Sequence, residues 1–468
     1  MSQSPVKFCR GESKNLRGYL GAAVSLTVFY LAPPVCASTF TTLYTFNGAQ
    51  PIGSPQLNAP VTFDPTGKFL YGEGYWGGAH SLPITSGTTP IGNGFLFKLA
   101  PPPGGGTPWR LTVLFNFDKQ GRNPIGGLTL DPKSGLLYGV TKNGGPHATN
   151  DGNGNGTIFR LNPNGTKPVV NTIANFSGYN GSDPMGGVTL DPSGNLFGAT
   201  LAGGDGYDPN KTSYGKEIGN ISGAGLVYKL ASDPTGVLGH PTIPHRFHVD
   251  GPTVPYAAVT GVQPMGQLAR DASGNLYGVT NRSGSTQGTV FMLRPTASGG
   301  WTCRFLYRFG QNYYINHQPD GSMPEAGVIL DATGNIYGTT AFGGASTDGA
   351  VVGTVFKLSL HAGKWTETIL HSFGTIPADG SYPSTELVFA KGVLYGATRG
   401  GGSGGQGTIF SLTPPPAGKT NWTYKIEHAF QGRADGGFPR ARMVVDAAGN
   451  LYGTTSADGN GTIFKLTP

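Results

Sequence analysis

The sequence predicts an all-β fold, a seven-bladed β-propeller with four-stranded blades, and three observations carry that expectation. An aromatic-Gly pair recurs at Tyr71-Gly72, Tyr138-Gly139, Phe197-Gly198, Tyr277-Gly278, Tyr337-Gly338, Tyr395-Gly396 and Tyr452-Gly453, at intervals of 67, 59, 80, 60, 58 and 57 residues. Around each pair lie four short strand-like runs separated by turn residues. The ends are mismatched: the last copy stops at Lys465-Leu-Thr-Pro468 without a fourth run, while Thr42-Leu-Tyr-Thr-Phe-Asn-Gly48 matches a fourth run with no copy before it. An N-terminal strand that completes the last blade accounts for both and removes the open seam of the ring.

The first 37 residues stand outside this pattern. Lys7, Arg10, Lys14 and Arg17 precede an apolar run from Leu20 to Leu31, and Val35-Cys36-Ala37 offers small residues before Ser38. Residues 1–37 therefore read as a secretory signal and 38–468 as a single propeller domain, exported to the periplasm or the medium, with no membrane span after cleavage. Cys9 and Cys36 fall in the signal, which leaves Cys303 alone and predicts no internal disulfide. The segment holds four of the 32 basic and one of the 25 acidic residues, so the remainder carries +4, too dilute for a nucleic-acid footprint.

Within a copy, the first strand is a short run such as Gly127-Leu-Thr-Leu130 that ends at an Asp able to bond the backbone of the next turn. The second is Leu-Tyr-Gly-x-Thr, and the third alternates as in Gly353-Thr-Val-Phe-Lys-Leu358. The fourth follows a Pro/Gly turn, as in Trp365-Thr-Glu-Thr-Ile-Leu-His-Ser-Phe373. The 79 glycines and 37 prolines would read as disorder in an aperiodic chain, but here they recur with the repeat.

Gly-Asn-Leu-Tyr-Gly-[Thr/Val]-Thr, the Gly-Gly loop, Gly-Thr-Val-Phe-Lys-Leu, Trp-Thr and Asp-Gly-x-x-Pro recur in that order over residues 41–468. In these motifs the chain resembles the GloVer repeat family of secreted bacterial proteins. The resemblance implies export, often with a C-terminal anchoring signal; this chain ends directly after the repeat, which favours free release or periplasmic residence. It implies no reaction. The Asp-x-x-Gly-Asn-Leu-Tyr element is also similar to that of NHL-type propellers, which bears on fold alone.

Function is expected where the repeat is interrupted. Long insertions at 202–224, 249–265 and 310–325 fall in loops of one face, making that face the expected binding surface. Trp109, Trp301, Trp365 and Trp422 begin fourth strands, whereas Trp76 follows Tyr75 in a loop with His80 nearby, as a sugar-stacking platform or as loop packing. Tyr207, Tyr214, Tyr313 and Tyr314 are further contact candidates.

Glutamate is scarce after residue 37: Glu367 and Glu427 lie in fourth strands, and Glu73, Glu217, Glu325 and Glu386 are expected on or near the variable face. With Arg440 and Arg442 these form either a polar axial funnel for a sugar or acidic ligand, or blade-to-blade ion pairs. Asp151-Gly-Asn-Gly-Asn-Gly156 begins like a calcium loop but has Asn162 at the twelfth position, and a strand accounts for His240, His245 and His248, so no metal and no cofactor are expected.

Two functions follow. One is a monomeric binding or scaffold module for an extracellular glycan or an exported protein. The other is a glycan-active hydrolase or lyase that uses two of Glu73, Glu217, Glu325 and Glu386, with Asp320 or His317.

Overall fold

The alternating runs of each repeat form an antiparallel meander because one side of every strand is apolar and must be covered by the neighbouring blade. In the computed structural model, which describes residues 38–46, 56–79, 92–118, 121–147, 154–165, 168–207, 223–233, 239–248, 261–282, 287–310, 320–345, 352–432, 434–456 and 461–468, these meanders make seven blades. Blade four shows the order from the axis outward: Val262–Arg270, Leu276–Arg282, Thr289–Pro295 and Trp301–Arg308. In blade three the innermost strand is broken into Ser182–Pro184 and Thr189–Leu190, both paired with the second strand as the continuous Val262–Arg270 is in blade four.

The closing strand is present. Thr39–Thr45 pairs antiparallel with Thr462–Thr467, Thr39 opposite Thr467 and Thr45 opposite Thr462, and completes the sheet with Leu451–Thr454 and Val444–Val445. Side chains bind it to blade six as well. Phe40 stacks on His428 with centroids 3.8 Å apart, and the Ser38 hydroxyl donates to Glu427.

The signature residues act between strands and between blades. A Cβ on Gly338 would come within 2.5 Å of the Phe356 ring, so the Gly of the aromatic-Gly pair makes room for the Phe of the third strand. Trp301 packs edge-to-face on Phe197 of the preceding blade, and Trp422 on Tyr337 in the same way. Each Asp-x-x-Gly-Asn turn is closed by its Asp: Asp331 accepts from the Asn335 and Thr333 amides through one oxygen and from Asn335 Nδ2 and Tyr337 Oη through the other. Burial raises the Asp331 pKa, but these bonds outweigh it and carry the carboxyl down to about 2.

One backbone device turns the crossovers into blades two to seven onto the axis. Asn123, Asp183, Gln263, Met323, Tyr382 and Phe438, each just before a Pro, hold φ between 51° and 60°, a left-handed conformation that costs about 1 kcal/mol or more in a non-glycine residue. Their amides donate to the preceding blade, as from Met323 to the Gln287 carbonyl at 2.6 Å and from Phe438 to that of Gln406 at 2.7 Å. This cross-blade bond offsets the strain and fixes the residues that follow, which line the axis. The compact unit spans Ser38–Pro468, and among the described residues no helix is long and apolar enough to cross a membrane.

Candidate functional site

Two residues after the six left-handed positions, the innermost strands bring Ile125, Met185, Met265, Glu325, Ser384 and Arg440 to the axis, and blade one adds Asn58. Two residues further on stand Pro60, Gly127, Gly187, Gln267, Gly327, Glu386 and Arg442. Together with Arg399 from the second strand of blade six, residues from all seven blades enclose an axial cavity of about 210 Å³.

Its chemistry is one-sided. Blades two to four supply Ile125, Met185 and Met265, and blades five to seven supply Glu325, Glu386, Arg399, Arg440 and Arg442. Arg442 Nη1 lies 3.5 Å from Glu386 Oε2, the expected blade-to-blade pair, while Arg442 Nε is buried without a hydrogen-bond partner among the described residues. Burial raises the Glu386 pKa against the pull of Arg442, and raises that of Glu325 against Arg399 and Arg440. Burial and the neighbouring Arg399 charge lower the Arg440 pKa, and Glu325 opposes them. Three guanidinium groups thus meet two carboxylates, an excess of one positive charge in a confined space. Gly327 is part of the construction, since a Cβ there would stand 2.2 Å from Glu386 Oε1.

Glu325, Glu386, Arg440 and Arg442 are therefore brought together. Glu73 is not with them, a correction to its expected place on the variable face. It is 1% exposed, sealed in the seam between blades one and two, where Oε1 accepts from the Gly127 amide at 2.9 Å and Oε2 has no hydrogen-bond partner among the described residues. The residue after the aromatic-Gly pair points into the next blade: Thr339 Oγ1 donates to the Thr385 carbonyl and Thr454 Oγ1 to that of Ala59. Glu73 follows the same rule, and burial pushes its pKa up to about 8 despite the Gly127 bond.

Asp320 also lies apart from the cavity lining. It accepts from the Gly310 amide at 2.9 Å and from Tyr307 Oη at 3.3 Å, and Tyr307 Oη bonds Glu367 at 2.8 Å. Burial, then the charge of Asp320, holds Glu367 well above the usual carboxylate range. Asp379 and Asp435 repeat the arrangement with His371 and His428 at 3.0 and 3.2 Å, which makes these Asp-Gly pairs ties between outer strands.

Tyr75 packs against the cluster that contains Ile125 and meets Trp76 edge-to-face at 4.8 Å, so this pair is half-buried in a seam outside the cavity lining. Tyr207 stands on the rim with its ring 5.2 Å from Tyr179, which is 67% exposed. His80, Glu217, Tyr214, Tyr313, Tyr314 and His317 lie outside the described residues, as do residues 151–153 of the Gly-Asn loop. Among the described residues no group of three or more His, Cys, Asp and Glu is placed to hold a metal ion. Cys303 packs within the blade three–four cluster, and burial pushes its thiol up to about 12.

Sequence reasoning missed Ile125, Met185, Met265, Gln267 and Arg399. Their signal was positional: superposing the six copies that share Gly-x-x-Pro places all but Arg399 in the two axial columns.

A family model described as the Gloeobacter/Verrucomicrobia repeat matches residues 19–210, 151–352 and 263–468. No curated protein matches the chain. Among solved structures, the chain is similar to Kuenenia stuttgartiensis hydrazine synthase, with 11% identity, a TM-score of 0.49, and 89% of this chain and 98% of that one covered. A Lactobacillus plantarum protein matches at 14% identity and TM-score 0.45, covering 85% and 91%. A putative oxidoreductase (glucose dehydrogenase) of Thermus thermophilus matches at 16% identity and TM-score 0.39, covering 92% and 100%.

Proposed function

The chain belongs to the Gloeobacter/Verrucomicrobia repeat family, and from that premise we propose that it is an exported binding module whose axial cavity holds an acidic sugar residue of an extracellular glycan. The observation that carries this reading is the one-sided lining: three guanidinium groups against two carboxylates on one wall, and Ile125, Met185 and Met265 on the other. A carboxylate placed among Arg399, Arg440 and Arg442 gains charge-assisted hydrogen bonds and relieves the repulsion between Arg399 and Arg440. The polarizable Met side chains offer an adaptable apolar surface to the body of the ligand. At about 210 Å³ the cavity is smaller than the ~300–1,000 Å³ of sites for drug-sized ligands, so it suits one sugar unit of a larger chain. Export rests on the Lys/Arg-flanked apolar run before Ser38.

A second reading, a glycan hydrolase or lyase, is favoured by one observation: Glu325 and Glu386 line the same cavity, and burial raises the pKa of both, the direction a general acid needs.

An array of neutral and uronate-containing polysaccharides, scored for binding and for released product, separates the two. The binding reading expects retention of uronate polymers without shortening, loss with Arg440→Met, and tighter retention with Glu325→Gln, which removes a competing negative charge. Release of product that Glu325→Gln abolishes establishes the enzyme instead. Capture of exported proteins with no glycan bound overturns the choice of ligand.

A further inference from the structure

A second cavity of about 620 Å³ lies at the other end of the axis, on the face of the Asp-x-x-Gly turns. Its walls are the ends of the first strands of blades two to five, with Leu130, Leu190, Leu268 and Ile329 among the apolar residues. Gln267, Glu386 and Arg442 line this cavity and the upper one alike. We propose that the two cavities are one axial binding path, and that the ligand is an acidic oligosaccharide lying along it, with carboxylates at both ends of the path. This rests on the acidic-sugar reading of the upper cavity and extends it to the length of the ligand.

Three features of the shared level support continuity. Gly187 and Gly327 stand there without side chains. Gln267 is drawn aside, its Nε2 donating to the Val188 carbonyl at 2.6 Å. The level is otherwise occupied by Pro60 and by the Glu386–Arg442 pair, whose 3.5 Å separation, with Arg442 Nε unpartnered among the described residues, leaves it able to re-pair with an entering carboxylate. From Met265 in the upper cavity to Arg270 in the lower one, the innermost strand of blade four spans five residue steps, about 16 Å at ~3.3 Å per residue, longer than a single sugar ring.

The lower cavity also offers a cation. Asp131 and Asp191 are consumed by their own turns, and Lys133 Nζ donates to the Pro192 carbonyl. Arg270 on the same wall makes no hydrogen bond or ion pair among the described residues, although it lies near enough to Asp191 to help hold that carboxyl low. A half-buried guanidinium beside apolar walls, with no hydrogen bond or ion pair among the described residues, matches the carboxylate of a second sugar unit.

Calorimetric titration of the chain from residue 38 with oligogalacturonates of one to six residues tests the path. Affinity is expected to rise about tenfold or more between the monomer and the longer oligomers, the gain of one added guanidinium–carboxylate contact. Arg270→Met should remove that gain and leave monomer affinity unchanged, while Arg440→Met should weaken every length. Circular dichroism on both variants confirms that the fold is kept. Monomer binding that does not strengthen with length, or a length gain that survives Arg270→Met, overturns the path while the acidic-sugar site stands. No binding at any length overturns both.

Discussion

Across the axis, Ile125, Met185 and Met265 of blades two to four stand opposite Glu325, Ser384 and Arg440 of blades five to seven, although each occupies the same position of the same repeat. The backbones also differ. In the first half the inner strands meet through glycine, where a Cβ on Gly186 would lie 2.0 Å from the Gly266 carbonyl oxygen and one on Gly266 would lie 2.1 Å from the Gly327 amide. In the second half Ala326, Thr385 and Ala441 fill that position. One half is closed by backbone contact and lined with apolar groups, while the other is spaced by side chains and lined with charge. Positions that make blade-to-blade contacts are restricted to a few residue types; the two axial columns are freer, so the differences among blades collect there.

Glu73, in the seam of blades one and two, and Glu386, at the axis in blade six, are both withdrawn from solvent, and the contrast between them gives the largest expected effect. Glu386 has a cation beside it, whereas Glu73 has only the Gly127 amide among the described residues. With its folded pKa raised to about 8, Glu73 contributes stability that is complete below the ordinary glutamate range and is lost as pH rises through the folded value. Urea denaturation at pH 5 and pH 9 should show wild type losing about 4 kcal/mol more than Glu73→Gln over that interval. Parallel pH profiles for the two proteins would break the contrast.

Next in size is the closed backbone. Gly186→Ala should cost about 2–3 kcal/mol in the same assay, because both contacting groups are backbone and neither can give way; Ala441→Gly in the other half should cost under about 1 kcal/mol. Equal costs would mean that the halves are not closed differently. Smaller again, Glu386→Ala should destabilise by about 1–2 kcal/mol by leaving Arg442 without its counter-ion, a loss moderated by the partial exposure of the guanidinium, and Arg442→Met on top of it should recover most of the loss. Met185→Leu should change stability by less than about 1 kcal/mol, as a volume-conserving swap.

The fold was legible because its signals act over short range and recur. The Gly-for-Phe exchange at Gly338 and Phe356, the Asp331 turn and the N-terminal fourth strand each solve a local packing problem that every blade poses again. The site was legible only where charge interrupts the pattern, at Glu325, Glu386, Arg440 and Arg442. Met185 and Met265 were not, since an apolar residue in an apolar strand reads as core until its strand is known to be innermost. Glu73 misled for the opposite reason: a charge in a small-residue position suggests an open surface, but the Thr339 and Thr454 bonds show that this position faces the next blade. Asp320 was singled out as chemistry, yet Asp379 and Asp435 share its task of tying outer strands together.

The central claim is that the charged half of the axis holds an acidic ligand. Titrating galacturonate and glucose into wild type, Arg440→Met and Met185→Leu by calorimetry tests it most directly. Wild type is expected to bind galacturonate and not glucose, Arg440→Met to weaken binding about tenfold or more, and Met185→Leu to change it little. Equal binding of the two sugars, or galacturonate affinity that Arg440→Met leaves intact, would contradict it.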